Sequence, residues 1–188
     1  MSPLLPYRLN ICGVGELEGF AGSGVSDVLS ILDPDTPKPA AFARFGPHRR
    51  TDIRFHDVVL PLDGHIQPTS DDVRRILAFG TACAAASASH VLIHCYAGVS
   101  RSTAAATILM AQANPGRETE TFAALTRIRP RAWPNSQMIG LADDLLERGG
   151  ALNAALRRHY VAVAANNADL ADHIRSIHHR RHEVPGAG

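Results

Sequence analysis

Residues 91–103 read VLIHCYAGVSRST, and this stretch is the most informative part of the chain. Its first half belongs to a short apolar run, His90–His94, isolated between two helical stretches, which is typical of a buried parallel strand. A loop that contains a glycine follows, and a helix then begins at Ser102 and continues to Gln112. The stretch therefore predicts a strand, a tight loop and a helix in direct succession.

The loop between Cys95 and Arg101 has the features of a phosphate-binding site. A loop that leads into a helix N-terminus directs several backbone N–H groups at one point, and the helix dipole adds positive potential there. Cys95 lies in that field, which stabilises its thiolate and makes it a nucleophile at neutral pH. The planar fork of Arg101 can hold two phosphoryl oxygens, and Gly98 allows the backbone to turn with positive φ.

The spacing of these residues is informative only when the whole pattern is required. A bare Cys-x5-Arg is expected about 0.3 times by chance at this cysteine and arginine content. Requiring His94 before Cys95 and Gly98 after it lowers that expectation to about 0.001. The pattern is therefore a strong signal.

With these residues in place, His94-Cys95-x5-Arg101-Ser102 resembles the HCxxGxxR(S/T) signature of the cysteine-dependent protein tyrosine phosphatase superfamily. The spelling CYAGVSRS is most similar to the dual-specificity branch. The similarity in layout extends from about Arg8 to Arg148. The resemblance implies an α/β fold, in which a small central and mostly parallel sheet is flanked by helices.

The resemblance also implies the roles of the site residues. Cys95 attacks phosphorus and forms a phosphocysteine, Arg101 holds the phosphoryl oxygens, and Ser102 donates a hydrogen bond to the departing sulfur. No metal or other cofactor is expected, because the loop itself supplies the charge stabilisation, and a phosphate or sulfate ion should occupy the loop. The expected phosphate-binding residues are Cys95, Tyr96, Ala97, Gly98, Val99, Ser100 and Arg101.

An aspartate upstream of the loop is expected to act as general acid and then as general base. The spacing to the nucleophile in compact family members favours Asp63. The family's acid commonly ends an extended segment, however, and residues 51–56 form such a segment directly before Asp57. We favour Asp57 and leave Asp63 as the alternative.

Two further residues are expected to support the loop, each with a structural alternative. The ring of His94 could hydrogen-bond the loop and tune Cys95, or it could be a satisfied core histidine at the end of a strand. Asn135 follows Pro134 and could brace the phosphate loop or simply fill a turn. Cys12 and Cys83 could resolve an oxidised Cys95, but we favour two inert buried thiols.

The rest of the sequence predicts early strands and late helices. A capping pattern at residues 68–72 opens the helix before the loop, with Val73, Ile76, Leu77 and Gly80 on its inward face. Residues 1–165 are expected to form the phosphatase-like domain, and the basic, histidine-rich residues 166–188 a helix that frays into a loose tail. The expected strands are 8–14, 26–32, 52–55 and 58–60, and the later helices are 102–112, 118–129, 136–148 and 151–163.

Composition limits the possible partners and location. The chain has 188 residues with 45% hydrophobic and 20% charged residues, the composition of one globular domain. Its net charge of +1 does not suggest nucleic-acid binding, and no apolar run is long enough for a membrane span. Three cysteines are too few for a disulfide framework, and residues 1–20 do not resemble a secretory signal. A cytoplasmic protein is the expectation.

A phosphorylated protein or a small phosphomonoester is the expected substrate, because residues 96–100 add no basic side chain that would meet a second phosphate. Both phosphotyrosine and phosphoserine or phosphothreonine remain open. Two other function classes are compatible with a cysteine on a loop of amides. One is a sulfurtransferase of the rhodanese type, and the other is a non-catalytic module that binds a phosphorylated partner.

Overall fold

The computed structural model describes residues 4–186 and contains one four-stranded parallel sheet, in the order β1-β4-β2-β3. Strand β4 lies inside the sheet and pairs with β1 on one side and with β2 on the other. This confirms the expected α/β class with a small central sheet. The strands are β1 (Arg8–Gly13), β2 (Asp27–Leu32), β3 (Arg49–Arg54) and β4 (His90–Cys95).

The bounds of β1, β2 and β4 predicted from the sequence agree with the structure to within one residue. Strand β3 begins at Arg49, three residues earlier than expected, because it pairs along its full length with β2. The expected strand Val58–Leu60 is wrong, since these residues lie in the loop between β3 and the first helix. Val58 and Val59 are buried in that loop, and a short run of buried apolar residues in a loop has the same sequence pattern as a strand.

Within residues 4–186, six α-helices pack against the sheet. The helix expected after residues 68–72 is confirmed, and its first turn is capped by Thr69, whose hydroxyl accepts a hydrogen bond from the Asp72 N–H at 3.3 Å. Three 3-10 helices cover Val14–Phe20, Ala40–Arg44 and His178–Glu183. The α-helices are α1 (Ser70–Ala85), α2 (Arg101–Ala113), α3 (Glu118–Ile128), α4 (Ser136–Leu145), α5 (Ala151–Asn166) and α6 (Ala168–Ser176).

Side chains alternate between two apolar layers, as the period of a strand requires. On β2, Leu29 and Ile31 enter the main core together with helices α1 to α6, whereas Val28 enters a smaller cluster on the opposite face. Helix α2 lies in the main core, and eleven of its thirteen residues are buried. The helix that follows the loop is therefore held rigidly under the sheet.

Residues 168–184 pack against the rest of the protein, so the expectation of a loose tail is wrong. Leu170, Ile174 and Val184 join the main core, and Arg180 and Glu183 are also buried. Histidines and arginines on the outer side of α6 give the segment its polar composition and obscure this apolar face. The proposed division between residues 1–165 and 166–188 stays a prediction, and residues 187 and 188 lie outside the described part.

No helix within residues 4–186 is both long enough and apolar enough to cross a lipid bilayer.

Candidate active site

The loop of residues 96–100 joins the end of the central strand β4 to the start of α2. Cys95 is the last residue of β4 and is 2% exposed. Its Sγ accepts a hydrogen bond from the Gly98 N–H at 3.3 Å and lies 3.2 Å from Ser102 Oγ. The loop therefore closes around the sulfur with one backbone amide and one hydroxyl already in contact with it.

The loop lies directly against the end of β1. Gly98 has φ +71°, and a Cβ atom there would lie 2.5 Å from the carbonyl carbon of Cys12 and the nitrogen of Gly13. A Cβ atom on Gly13 would in turn lie 2.9 Å from Ala97. The Val14 N–H donates to the Tyr96 carbonyl oxygen at 2.9 Å. This close contact of two backbones requires glycine on both sides.

An arginine from the end of α3 ties down the same loop from outside. Arg129 donates from Nε to the Gly98 carbonyl oxygen at 3.0 Å and forms two hydrogen bonds of 2.8 Å to the Glu16 carboxylate. Glu16 also accepts the Gly13 N–H at 2.6 Å. The hydrogen bonds from Arg129 and from the Gly13 amide outweigh the effect of burial and lower the pKa of Glu16 below its usual value. Glu16 and Arg129 thus connect β1, the loop and α3.

Arg101 is held so that one edge of its guanidinium stays available. One terminal nitrogen donates to Asp33 Oδ1 at 2.6 Å and to the Phe55 carbonyl oxygen at 2.7 Å. Its Nε is buried and has no hydrogen-bond partner within residues 4–186. A buried unpaired N–H costs free energy unless a ligand meets it. The geometry suits a guanidinium that is oriented in advance for phosphoryl oxygens.

Asp57 lies beside the loop, in contact with three other parts of the chain. Its carboxylate accepts hydrogen bonds from Ser100 Oγ at 2.7 Å and Asn135 Nδ2 at 2.9 Å, and it lies 3.4 Å from a terminal nitrogen of Arg180. Burial raises the pKa of Asp57, but Arg180, Arg101 and the two hydrogen bonds outweigh that effect and lower the pKa below its usual value.

The two supporting residues have partners other than the phosphate loop backbone. Asn135 caps α4 by accepting the Met138 N–H at 3.0 Å. Its side-chain N–H group also donates to Asp57 and to the Val58 carbonyl oxygen, in the loop after β3. His94 is fully buried, with Nε2 2.6 Å from Ser30 Oγ on the neighbouring strand. Burial lowers the pKa of His94 to about 4, so its ring is neutral near pH 7.

The other residues considered from the sequence do not line the cavity. Asp63 is in an exposed turn of the loop between β3 and α1 and does not line the cavity. Cys12 and Cys83 are free and buried. Burial raises the pKa of both thiols to about 12, so neither is a thiolate near pH 7.

A cavity of about 450 Å³ opens above Cys95 and Arg101. Asp33 and Asp57 line it from the loops after β2 and β3. Because these loops follow the carboxyl ends of parallel strands, they meet at one edge of the sheet. The remaining wall is formed by residues 170–180 of the C-terminal segment. A thiol, a guanidinium and two carboxylates therefore line one cavity.

Solved structures share this architecture. Human DUSP28 is 18% identical with a TM-score of 0.59, and the match covers 80% of this chain and 99% of that one. The human tyrosine phosphatase-like serine/threonine/tyrosine-interacting protein is 17% identical with a TM-score of 0.60, over 79% and 97% of the two chains. The chain has the dual-specificity phosphatase fold.

A third similar structure comes from Cydia pomonella. Its PTP-2 phosphatase is 22% identical with a TM-score of 0.58, over 73% of this chain and 84% of that one. Compared by sequence alone, the chain matches no family model and no curated protein. The comparisons thus show a shared fold, that of the dual-specificity phosphatases.

Several residues of this site were not found from the sequence. Asp33 follows β2 directly, and its place at the carboxyl end of a parallel strand was a usable signal. Glu16, Arg129 and Arg180 gave no such signal, because each reaches the site through a contact that is distant in sequence. Within this phosphatase fold, those contacts depend on how α3 and the C-terminal segment pack.

Proposed function

We propose that the chain is a phosphomonoester hydrolase of the protein tyrosine and dual-specificity phosphatase type, which acts through a phosphocysteine intermediate. One observation carries the proposal: Cys95, held by the Gly98 amide, shares a cavity with the preoriented Arg101 and with Asp57. The shared phosphatase fold supports it. In this proposal the cavity receives the phosphate group at its base and the leaving group at its mouth.

The first step breaks the ester bond. The Cys95 thiolate attacks phosphorus in line with the ester oxygen and forms the S–P bond, while the loop amides and Arg101 hold the three equatorial oxygens. Asp33 and the Phe55 carbonyl oxygen keep the Arg101 fork in that orientation. Asp57 gives its proton to the leaving oxygen, which departs as an alcohol or a phenol.

The second step hydrolyses the phosphocysteine. Asp57, now a carboxylate, takes a proton from a water molecule that attacks phosphorus, and the sulfur leaves as a thiolate. Ser102 Oγ, 3.2 Å from Sγ, is placed to donate a hydrogen bond to that departing sulfur. Inorganic phosphate is then released and the enzyme returns to its starting state.

The acid role goes to Asp57 rather than to Asp63, because Asp57 lines the cavity and Asp63 lies in an exposed turn. Since its neighbours lower the pKa of Asp57 in the free protein, kcat/KM should fall as pH rises towards neutrality. In Asp57→Asn that alkaline limb should disappear, with kcat reduced about 100-fold on phenyl phosphate. Asp63→Asn should keep both the limb and the rate, and the reverse pattern would transfer the role to Asp63.

The nucleophile is tested by hydrolysis of p-nitrophenyl phosphate in the presence of a chelator. Cys95→Ser should abolish turnover, whereas Cys83→Ser, which alters a buried thiol in α1, should retain it. Turnover in Cys95→Ser would refute the cysteine mechanism. Thiosulfate–cyanide activity without phosphatase activity would indicate a sulfurtransferase instead, and phosphopeptide binding without turnover would indicate a binding module.

The substrate proposed for this site is a monoester that carries one phosphate. Residues 96–100 of the loop place no basic side chain at the cavity mouth, and Tyr96 is 67% exposed there. An exposed aromatic ring beside the phosphate site suits a peptide substrate. A panel of phosphotyrosine, phosphoserine and phosphothreonine peptides would measure the preference.

A further inference from the structure

Arg180 is a buried cation that the C-terminal segment brings to the site. It lies in the 3-10 helix of residues 178–183 and is 3% exposed. One terminal nitrogen donates to Ser100 Oγ at 2.9 Å and lies 3.4 Å from Asp57 Oδ2. Arg180 therefore contacts the phosphate loop and the candidate acid at the same time.

The opposite side of the same guanidinium is anchored to the protein interior. Its Nε donates to Glu183 Oε2 at 2.8 Å. Glu183 is itself fully enclosed and accepts hydrogen bonds from Trp133 Nε1 and from the Ser136 N–H, each at 3.1 Å. Removing one partner of a buried charge pair is strongly destabilising, so Ser100, Asp57 and Glu183 together set the position of Arg180.

We propose that Arg180 is a positioning residue for the hydrolysis, which holds the Asp57 carboxyl group and the Ser100 hydroxyl in register above Cys95. This inference rests on the proposed function. It assigns to the C-terminal segment a part in catalysis that the signature around Cys95 does not contain. Without the guanidinium, the Asp57 carboxylate keeps its hydrogen bonds from Asn135 and Ser100 but loses its one contact with the C-terminal segment within residues 4–186.

The same segment bounds the space where the leaving group must lie. Leu170, Ile174 and Ile177 form an apolar side of the cavity, and His173 and His179 lie next to them. Because Arg180 belongs to this segment, it also fixes the position of the Asp57 carboxyl group relative to the apolar side of the cavity. The distance between acid and leaving-group oxygen therefore depends on residues 170–180.

The sign of the expected pH effect follows from the charges around Asp57. A cation stabilises the carboxylate, so removal of Arg180 raises the pKa of Asp57 and keeps the acid protonated to higher pH. Arg101 remains and limits the size of the change. The other titratable groups near Asp57 are His56 and His65 on its own loop, Tyr160 on α5, and His179 and Glu183 on the C-terminal segment. Asp33, Cys95 and His173 line the same cavity.

The test compares Arg180→Met and Arg180→Lys with Arg181→Met, a matched change at the exposed neighbouring arginine. Each variant is assayed with phenyl phosphate, whose leaving group needs a proton, and with 2,4-dinitrophenyl phosphate, whose leaving group does not. Arg180→Met should lose about tenfold in kcat on the first substrate and less than about twofold on the second. Its alkaline limb should move to higher pH.

Arg180→Lys keeps a positive charge but cannot bridge Ser100, Asp57 and Glu183 at once. Its kcat on phenyl phosphate should fall while its alkaline limb stays near that of the wild type. If Arg180→Met does not fold, this variant alone decides the question. Equal losses on both substrates, or rates like those of Arg181→Met, would overturn the inference.

A double variant separates this inference from the proposed function. If Arg180 acts through Asp57, adding Arg180→Met to Asp57→Asn should lower kcat no further, because the two residues act as a unit. Additive losses would refute the positioning role. Wild-type turnover in Cys95→Ser would instead refute the proposed function, whatever the Arg180 variants show.

Discussion

Gly98 and Gly13 mark the point where the phosphate loop and strand β1 come closest. At Gly98 two constraints coincide: φ is +71°, and the space for a Cβ atom is already filled by the backbone of β1. A positive φ alone costs an L-residue about 1–2 kcal/mol. Contact with backbone atoms adds to that cost, because backbone cannot rotate away as a side chain can.

Gly98→Ala should therefore lower both stability and activity. Gly116→Ala is the matched control, since φ there is +77° but no atom lies within 4 Å of the added carbon. We expect the control to lose about 1–2 kcal/mol of unfolding free energy and no activity. Gly98→Ala should lose more stability and at least about tenfold in kcat/KM. Similar results for both variants in urea titration and assay would show that the close contact is unimportant.

His94 makes the stability of the protein depend on pH. Burial lowers the pKa of its ring from 6.5 to about 4, so the unfolded chain binds the proton more readily. Stability is then complete above pH 6.5 and is lost as pH falls towards 4, by about 3 kcal/mol. His94→Gln should flatten this part of the curve of unfolding free energy against pH. His178→Gln, at an exposed position, should leave it unchanged, and an unaltered slope in His94→Gln would refute the assignment.

The site is assembled from ends of elements that the parallel sheet brings to one edge. The central position of β4 places Cys95 between β1, which supplies Gly13, and β2, which leads to Asp33. The signature around Cys95 could be predicted because its residues are consecutive. Arg129 could not, because nothing around residue 129 distinguishes an arginine that reaches the loop from one that reaches solvent.

Arg129→Met should loosen the loop at its outer side. The variant removes the hydrogen bonds to the Gly98 carbonyl oxygen and to Glu16, so the loop amides are less well fixed for phosphate. We expect about a tenfold loss in kcat/KM, with a weaker Ki for inorganic phosphate. Arg127→Met, at an exposed position in the last turn of α3, is the control. Equal phosphate Ki values in the two variants would contradict the role of Arg129.

The C-terminal segment, residues 168–184, packs against the edge of the sheet where the candidate site lies. Sequence composition pointed to a loose tail because the exposed side of α6 is basic and polar, whereas its apolar face consists of a few separated residues. Glu183 illustrates why such packing is not readable from sequence. Its carboxylate accepts hydrogen bonds from four residues that are mostly distant in sequence, namely Trp133, Ser136, Tyr160 and Arg180.

Glu183→Gln should destabilise the whole protein. The change leaves Arg180 as a buried cation without its anchoring carboxylate, which costs about 3–5 kcal/mol in comparable cases. Glu18→Gln, at a side chain that is 70% exposed, should change the unfolding free energy by less than about 0.5 kcal/mol. Both values are measured by denaturant titration. Indistinguishable midpoints would mean that residues 178–183 contribute little to the fold.

The strand order also fixes a sequence of events in time. During synthesis β1 and β2 leave the ribosome well before β4, which must insert between them, so the sheet cannot close until residue 95 has emerged. Arg180 emerges later still. A nascent chain can therefore form the loop between β4 and α2 before the contacts of Arg180 with Asp57 and Ser100 become possible. If the proposed role of Arg180 holds, the site is complete only after translation has passed residue 184.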